Sequence, residues 1–145
     1  MGEVFEAAYG DGVADGTGDR AAEVRAAYAG LRQIRDVTGA VPAAWERRQP
    51  ARAVAITLEA SGLPPSALDA SGARVAPGYR VTPGERPRVT RVDWLGAPAE
   101  TEQKLRECAR ALESAGGWEA LLYRAGRGKW FLEVEIRATA RGGGR

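Results

Sequence analysis

The sequence predicts an α+β fold in which small N-terminal helices precede a strand-helix-strand-strand (βαββ) module. Three observations lead to this class. Apolar residues recur at helical steps in the first half, Pro and Gly cluster within 71–88, and residues 89–138 alternate between strand and helix periods. The predicted order is a disordered acidic leader at 1–19, a helical region at 20–70, a Pro/Gly/Arg linker at 71–88, the βαββ module at 89–138 and a disordered basic tail at 139–145.

The composition bounds the size of the core and the meaning of the charge. A chain of 145 residues corresponds to one domain. The chain has only 26 residues of the types Leu, Ile, Val and Phe, so we expect a compact core that contains only part of the sequence. The chain has 19 Arg, two Lys and 28 Ala, which is typical of a GC-rich genome, and the net charge is only +2. Arg counts are therefore weak evidence of function.

Cysteine and histidine usage excludes several classes of chemistry. A single Cys cannot form an intramolecular disulfide, and no apolar run or signal-like N-terminus is present. We therefore expect a cytoplasmic protein that does not enter membranes. Since the chain has no His, it cannot form a Ser-His-Asp triad or a His-ligated metal site. We expect no cofactor, no metal and no enzymatic activity, and Cys108 is expected to be a core residue.

The N-terminal half is interpreted as a leader followed by helices. The leader is expected to be disordered, or alternatively to form a short docking helix through Phe5 and Tyr9. Asp19 and Gly39 are suited to cap and end a helix over 20–37. Its expected apolar face contains Val24, Ala27, Tyr28, Leu31 and Ile34. Two further helices are expected after Pro42 and Pro50, the second over 51–61 and largely buried.

Residues 60–68 resemble the corner of a helix-turn-helix in spacing. Gly62 is suited to the turn and Ser66 to the cap of a second helix over 65–70. That segment has no side chain that reads base edges, so an ordinary helix-loop-helix corner is favoured. Residues 71–88 follow as a solvated linker or, alternatively, as an Arg-rich arm that follows phosphates.

The C-terminal module begins with a strand over Val89–Leu95 and a helix opened by Pro98. The apolar stripe of this helix includes Leu105, Cys108 and Leu112, and Gly116 ends it. A β-hairpin completes the chain. A helix between two strands implies a parallel pair with a right-handed crossover, and the third strand is expected to run antiparallel beside the second.

The hairpin register follows from the length of its turn. With a four-residue loop over 125–128, Arg124 faces Lys129 and Leu121 faces Leu132 on the side covered by the helix. The opposite face then presents Trp118, Leu122 and Phe131. Such an apolar surface needs a cover, either the N-terminal helices, a second copy in a homodimer, or another protein.

The leading functional hypothesis is a small regulatory or accessory protein that binds nucleic acid through its hairpin tip. The candidate contacts are Arg124, Arg127 and Lys129, supported by Arg86, Arg88 and Arg91. The alternative is a protein-interaction or self-assembly module that uses Trp118, Leu122 and Phe131. A weaker third hypothesis places acid–base chemistry on Glu133 and Glu135, expected roughly 7 Å apart on one strand face. A charged hairpin tip is also common in proteins that bind no nucleic acid.

Overall fold

The computed structural model describes residues 5–13 and 19–137 and has the α+β architecture that the sequence predicts. Its helices are α1 (Arg20–Thr38), α2 (Ala44–Arg48), α3 (Pro50–Ala60) and α4 (Thr101–Ala115), the last preceded by a 3-10 turn (Pro98–Glu100). Its strands are β1 (Gly12–Val13), β2 (Ala67–Leu68), β3 (Arg74–Ala76), β4 (Gly78–Pro83), β5 (Thr90–Leu95), β6 (Trp118–Arg124) and β7 (Trp130–Ile136).

The ends of α1 agree with the sequence prediction. The Asp19 carboxylate accepts a hydrogen bond from the Ala22 N–H at 3.1 Å, and Gly39 ends the helix in the left-handed conformation. The predicted apolar face is partly wrong. Leu31 is buried, but Ile34 is half-exposed and the next residue, Arg35, is buried instead. The Arg35 guanidinium forms an ion pair with Glu46 on α2, which compensates for the burial of its charge.

Helix α3 forms the centre of the core. All six of its residues from 53 to 58 are buried, and it contacts α1, α4 and strands β4 and β5. Helix α4 lies on the same side of the sheet and buries its predicted stripe of Leu105, Cys108 and Leu112. These two helices therefore cover the inner face of the main sheet.

The main sheet has the strand order β4-β5-β7-β6, and all neighbours are antiparallel. Strands β5 and β6 therefore run in the same direction and are joined by α4, but β7 lies between them. The prediction that β5 and β6 are adjacent parallel strands is therefore wrong, although their parallel direction agrees with it. A helical crossover sets the relative direction of two strands and leaves room for a third strand between them, as in split βαβ motifs. The predicted antiparallel β6–β7 pairing is confirmed.

Part of the predicted linker belongs to this sheet. Strand β4 pairs with β5 along its whole length, from Gly78 opposite Leu95 to Pro83 opposite Thr90. Its side chains Tyr79 and Val81 point to the core and are buried. This apolar alternation stabilises a strand although Pro and Gly surround it, so the solvated-linker interpretation of 71–88 is wrong for this part.

The described part of the predicted leader is also bonded to the fold. The Tyr79 hydroxyl donates to the Ala8 carbonyl at 2.8 Å, and the Val81 N–H donates to the Tyr9 carbonyl at 2.7 Å. Residues 5–9 form no helix, so neither a disordered leader nor a docking helix describes them. Residues 1–4, 14–18 and the predicted basic tail at 139–145 lie outside the described residues.

The predicted helical corner at 60–68 is wrong. Residues 67–68 form β2, which pairs with β1 and β3 in a second small sheet. Ser66 caps no helix, because its buried hydroxyl donates to the Gly10 carbonyl and its N–H donates to the Tyr79 carbonyl. This segment therefore has no recognition helix.

Candidate functional site

The register of the β6–β7 hairpin differs by one residue from the predicted register. Arg124 lies opposite Trp130, so the tip comprises the five residues 125–129. Within it the Ala125 N–H donates to the Lys129 carbonyl at 2.7 Å. Gly126 and Gly128 adopt positive φ angles of 89° and 67° at the turn. The predicted four-residue loop, with Arg124 facing Lys129, is therefore wrong.

This shift exchanges the two faces of β6. Because side chains alternate along a strand, moving the register by one residue turns every β6 side chain to the other side. Trp118 is fully buried in the core, and Leu122 packs against it. Leu121 and Tyr123, predicted to lie under the helix, are on the outer face instead. Trp118 is therefore a core residue and is not available as an interface, and the partly buried Leu122 lies on the same inner face.

The outer face nevertheless has an aromatic cluster. Phe131, the third predicted interface residue, stacks on Tyr123 with ring centroids 5.6 Å apart. The Arg91 guanidinium lies 4.0 Å from the centre of the Phe131 ring on the same face. Leu121 beside them is 43% exposed. We call Leu121, Tyr123 and Phe131 the outer patch.

Strand β6 is also an open edge of the main sheet. The other edge strand, β4, is covered, because its backbone bonds to Pro64 and Tyr9. Within residues 5–13 and 19–137, β6 pairs with β7 alone. The Ala120 N–H on β6 donates to the Glu113 side chain at 3.4 Å. An edge strand that carries the outer patch is a template for pairing with another chain.

The tip residues form a group of exposed cations. Arg124, Arg127 and Lys129 are exposed, and none of them forms a salt bridge with a carboxylate of the described residues. The Arg124 guanidinium lies 5.6 Å from the centre of the Trp130 ring. A cleft of about 250 Å³ separates the tip from the turn after β5, with Trp94 in its wall. We call Arg124, Arg127 and Lys129 the basic tip.

The structure does not bring the other three predicted cations to the tip. Arg91 is bonded to Asp93 at 3.1 Å on the outer face. Arg86 and Arg88 lie in the turn between β4 and β5, at the end of the sheet opposite the basic tip. The six predicted nucleic-acid contacts are thus divided among three places.

The paired carboxylates of the catalytic hypothesis have a cationic partner. The Arg86 guanidinium donates to Glu133 at 3.0 Å and to Glu135 at 3.2 Å. These contacts raise the pKa of Arg86 above its ordinary value, with the Glu133 hydrogen bond as the largest cause. The guanidinium bridges the two carboxylates, which is the geometry of a structural ion-pair network.

A second cationic site is formed by residues that are distant in sequence. A cleft of about 470 Å³ lies between the start of α3 and the β4–β5 turn. Its lining includes Arg48 and Arg52 from the helices and Arg86 and Arg88 from the turn. We call it the arginine cleft. Arg48 and Arg52 were not predicted as site residues, since no local pattern distinguishes them in an Arg-rich chain.

The thiol and the carboxylates form no metal or nucleophilic site among the described residues. No group of three or more His, Cys, Asp or Glu residues there is arranged to hold a metal ion. Cys108 is fully buried, and burial raises the pKa of its thiol to about 12. Such a thiol is protonated at neutral pH and is shielded from solvent.

Comparisons with protein-family models, with curated proteins and with solved structures give no match to this chain. Among the helices of the described ranges, none has the length and apolar character needed to cross a bilayer. The function is therefore inferred from the geometry of the surfaces described above.

Proposed function

We propose that this chain is a non-enzymatic cytoplasmic protein that binds nucleic acid through the basic tip. The observation that carries this proposal is that Arg124, Arg127 and Lys129 have no carboxylate partner within residues 5–13 and 19–137, in contrast to Arg86 and Arg91. Unpaired cations retain their full charge for a phosphate, whereas paired ones must first lose their carboxylate.

The tip is suited to contacts with the phosphate backbone. The two strands of the hairpin fix the positions at which Arg124 and Lys129 leave the sheet, and the glycines give Arg127 freedom to adapt. We therefore expect binding that depends little on sequence and strongly on salt.

The test is a salt series of fluorescence anisotropy measurements with labelled duplex and single-stranded DNA. Three phosphate contacts predict a slope of log K against log[salt] of about −2.7 for duplex and about −2 for single strands. The double variant Arg127→Ala/Lys129→Ala should reduce the size of the slope by about two.

A matched control removes the same charge elsewhere. Arg25 on α1 and Arg110 on α4 are both exposed, so Arg25→Ala/Arg110→Ala changes the net charge equally and should leave the slope nearly unchanged. Absence of binding at low salt would overturn the proposal. An equal loss of affinity in both double variants would also overturn it, because the effect would then reflect total charge.

A second candidate function, self-assembly, is favoured by the open edge of β6. Two copies can pair their β6 strands antiparallel about a two-fold axis and join their main sheets. The two outer patches would then be continuous across the new pair. This arrangement replaces the predicted interface of Trp118, Leu122 and Phe131 with Leu121, Tyr123 and Phe131.

Light scattering over a concentration series tests this candidate. A dimer is expected, and Leu121→Lys should dissociate it because a symmetric pair places like charges near each other. Ile34→Lys on α1 is a matched control, since Ile34 and Leu121 are both 43% exposed. A wild-type monomer at all concentrations, or a dimer that Leu121→Lys leaves intact, refutes pairing through β6.

A further inference from the structure

The arginine cleft has the charge of an anion-binding site. Glu85 is the only acidic residue in its lining, against four arginines. Arg86 is held by carboxylates of β7, but Arg48 and Arg88 form no salt bridge within the described ranges. Arg52 uses one N–H to hold the Phe5 carbonyl at 2.8 Å and keeps its other donors. The cleft thus has a clear excess of positive charge.

The start of α3 adds backbone donors to the same wall. Pro50, Ala51 and Arg52 begin this helix of 11 residues and line the cleft, and no side chain among the described residues caps it. The first-turn N–H groups of Ala51 and Arg52 have no intrahelical acceptor. The positive end of the helix dipole and these donors favour an anion at this place.

A buried hydroxyl in the wall has no partner in the described part of the chain. Thr90 lines the cleft and is only 1% exposed, and no atom of residues 5–13 and 19–137 forms a hydrogen bond with its Oγ1. A buried polar group without a partner is unfavourable by about 1–3 kcal/mol. A ligand group at the base of the cleft would supply the missing hydrogen bond. This observation is independent of the arginines and points to the same occupant.

The turn holds Arg88 on the cleft in a backbone conformation that arginine rarely adopts. Its φ angle is 72°, and it is the only residue other than Gly with a positive φ among the described residues. That conformation is unfavourable by about 1–2 kcal/mol for a residue with a Cβ. The turn is closed by the Gly84 N–H, which donates to the Val89 carbonyl at 2.7 Å.

From these features we propose that the arginine cleft binds a small molecule that carries a phosphate or diphosphate group. A phosphate has several acceptor oxygens, which can bind separate guanidinium groups and helix N–H donors at once. The volume of about 470 Å³ is in the range of small-ligand sites. This site is separate from the basic tip and requires no nucleic acid.

Isothermal titration with pyrophosphate, at constant ionic strength, tests the proposal in the full chain. We expect saturable binding with a Kd below about 1 mM. Arg48→Ala and Arg88→Gly should each weaken it by about tenfold, the loss of one charge-assisted contact. Gly suits the backbone at position 88, so this variant removes the guanidinium without strain. Arg127→Ala/Lys129→Ala, at the other end of the sheet, serves as the control and should bind pyrophosphate normally.

Thr90→Val separates a ligand site from a merely basic surface. The substitution removes a buried hydroxyl without a partner and keeps the side-chain shape, so the melting temperature without ligand should stay equal or rise. The additional stabilisation by pyrophosphate should become smaller. A variant with unchanged ligand-induced stabilisation would show that Thr90 does not contact the anion and would overturn its role.

Three other results of the titrations would overturn binding of a phosphate group in the arginine cleft. Absence of pyrophosphate binding in the wild type overturns the proposal, as does equal weakening in the tip control. If Arg48→Ala and Arg88→Gly weaken binding to duplex DNA while the wild type does not bind pyrophosphate, the cleft is part of a nucleic-acid-binding surface and the small-anion proposal is wrong. Because the tip and cleft variants are distinct, the two binding functions fail independently.

Discussion

Replacement of Arg35 by Met should be among the most destabilising single changes in this chain. Arg35 on α1 donates to both carboxylate oxygens of Glu46 on α2, at 2.7 and 2.8 Å. It also donates to the Ala115 carbonyl at the end of α4, at 2.8 Å. Arg35 is 4% and Glu46 0% exposed. One guanidinium therefore joins three helices.

The magnitude follows from the burial of the pair. In Arg35→Met, the hydrogen bond from the Ala43 N–H is the only one that the Glu46 carboxylate keeps within the described part of the chain. Removing one partner of a buried ion pair costs about 3–5 kcal/mol, because the remaining charge is left without compensation. A small domain has a total stability of about 5–15 kcal/mol, so this loss is a large fraction of it.

Urea unfolding followed by Trp fluorescence and far-UV circular dichroism measures the change. Arg35→Met should lower the midpoint by the equivalent of about 3–5 kcal/mol at constant m. The double variant Arg35→Met/Glu46→Leu should recover much of this loss, because it leaves no buried charge. A cost below about 1 kcal/mol for Arg35→Met, or additive costs in the double variant, would refute the ion-pair reasoning.

Three further predictions concern the hairpin, the first helix and the thiol. In urea unfolding, Trp118→Ala should lower the free energy of unfolding by about 3–5 kcal/mol, whereas Leu121→Ala should lower it by less than about 1 kcal/mol. Equal losses in the two variants would contradict the observed register. Asp19→Ala should cost about 1 kcal/mol through loss of the α1 cap, and a neutral result would show that the cap contributes nothing. Since burial raises the pKa of Cys108 from 9.0 to about 12, the thiol should resist a thiol reagent at pH 8 until the chain unfolds. The stabilisation by the neutral Cys108 thiol should be complete below pH 9 and be lost as the pH rises toward 12. The free energy of unfolding of Cys108→Ala should therefore decrease less steeply than that of the wild type between pH 9 and 12. Rapid labelling of the native protein would contradict this burial.

Features that depend on neighbours in sequence were predictable. The cap and stop of α1 and the buried stripe of α4 follow from side chains within a few residues of each other. The faces of β7 were also predicted correctly, with Val134 inside and Phe131 outside. For these elements the local pattern and the tertiary environment agree.

The register of the hairpin could not be predicted from the local sequence. Loops of four and five residues are both compatible with Ala125-Gly-Arg-Gly-Lys129, and the choice between them sets which side of β6 is buried. Burial of Trp118, the largest of the fully buried side chains, favours the observed register. The packing of distant helices on the sheet therefore determines the length of the hairpin loop.

The two cationic sites differ in the same way. The basic tip was predictable from the chain, because its three cations lie at the end of one local hairpin. The arginine cleft was not predictable, because packing brings Arg48 and Arg52 to a turn more than thirty residues later. Likewise, the fold pairs Arg86 with Glu133 and Glu135, which lie more than forty residues later. Charges that are distant in sequence meet only after the chain has packed, so their pairing depends on the fold and leaves no local pattern.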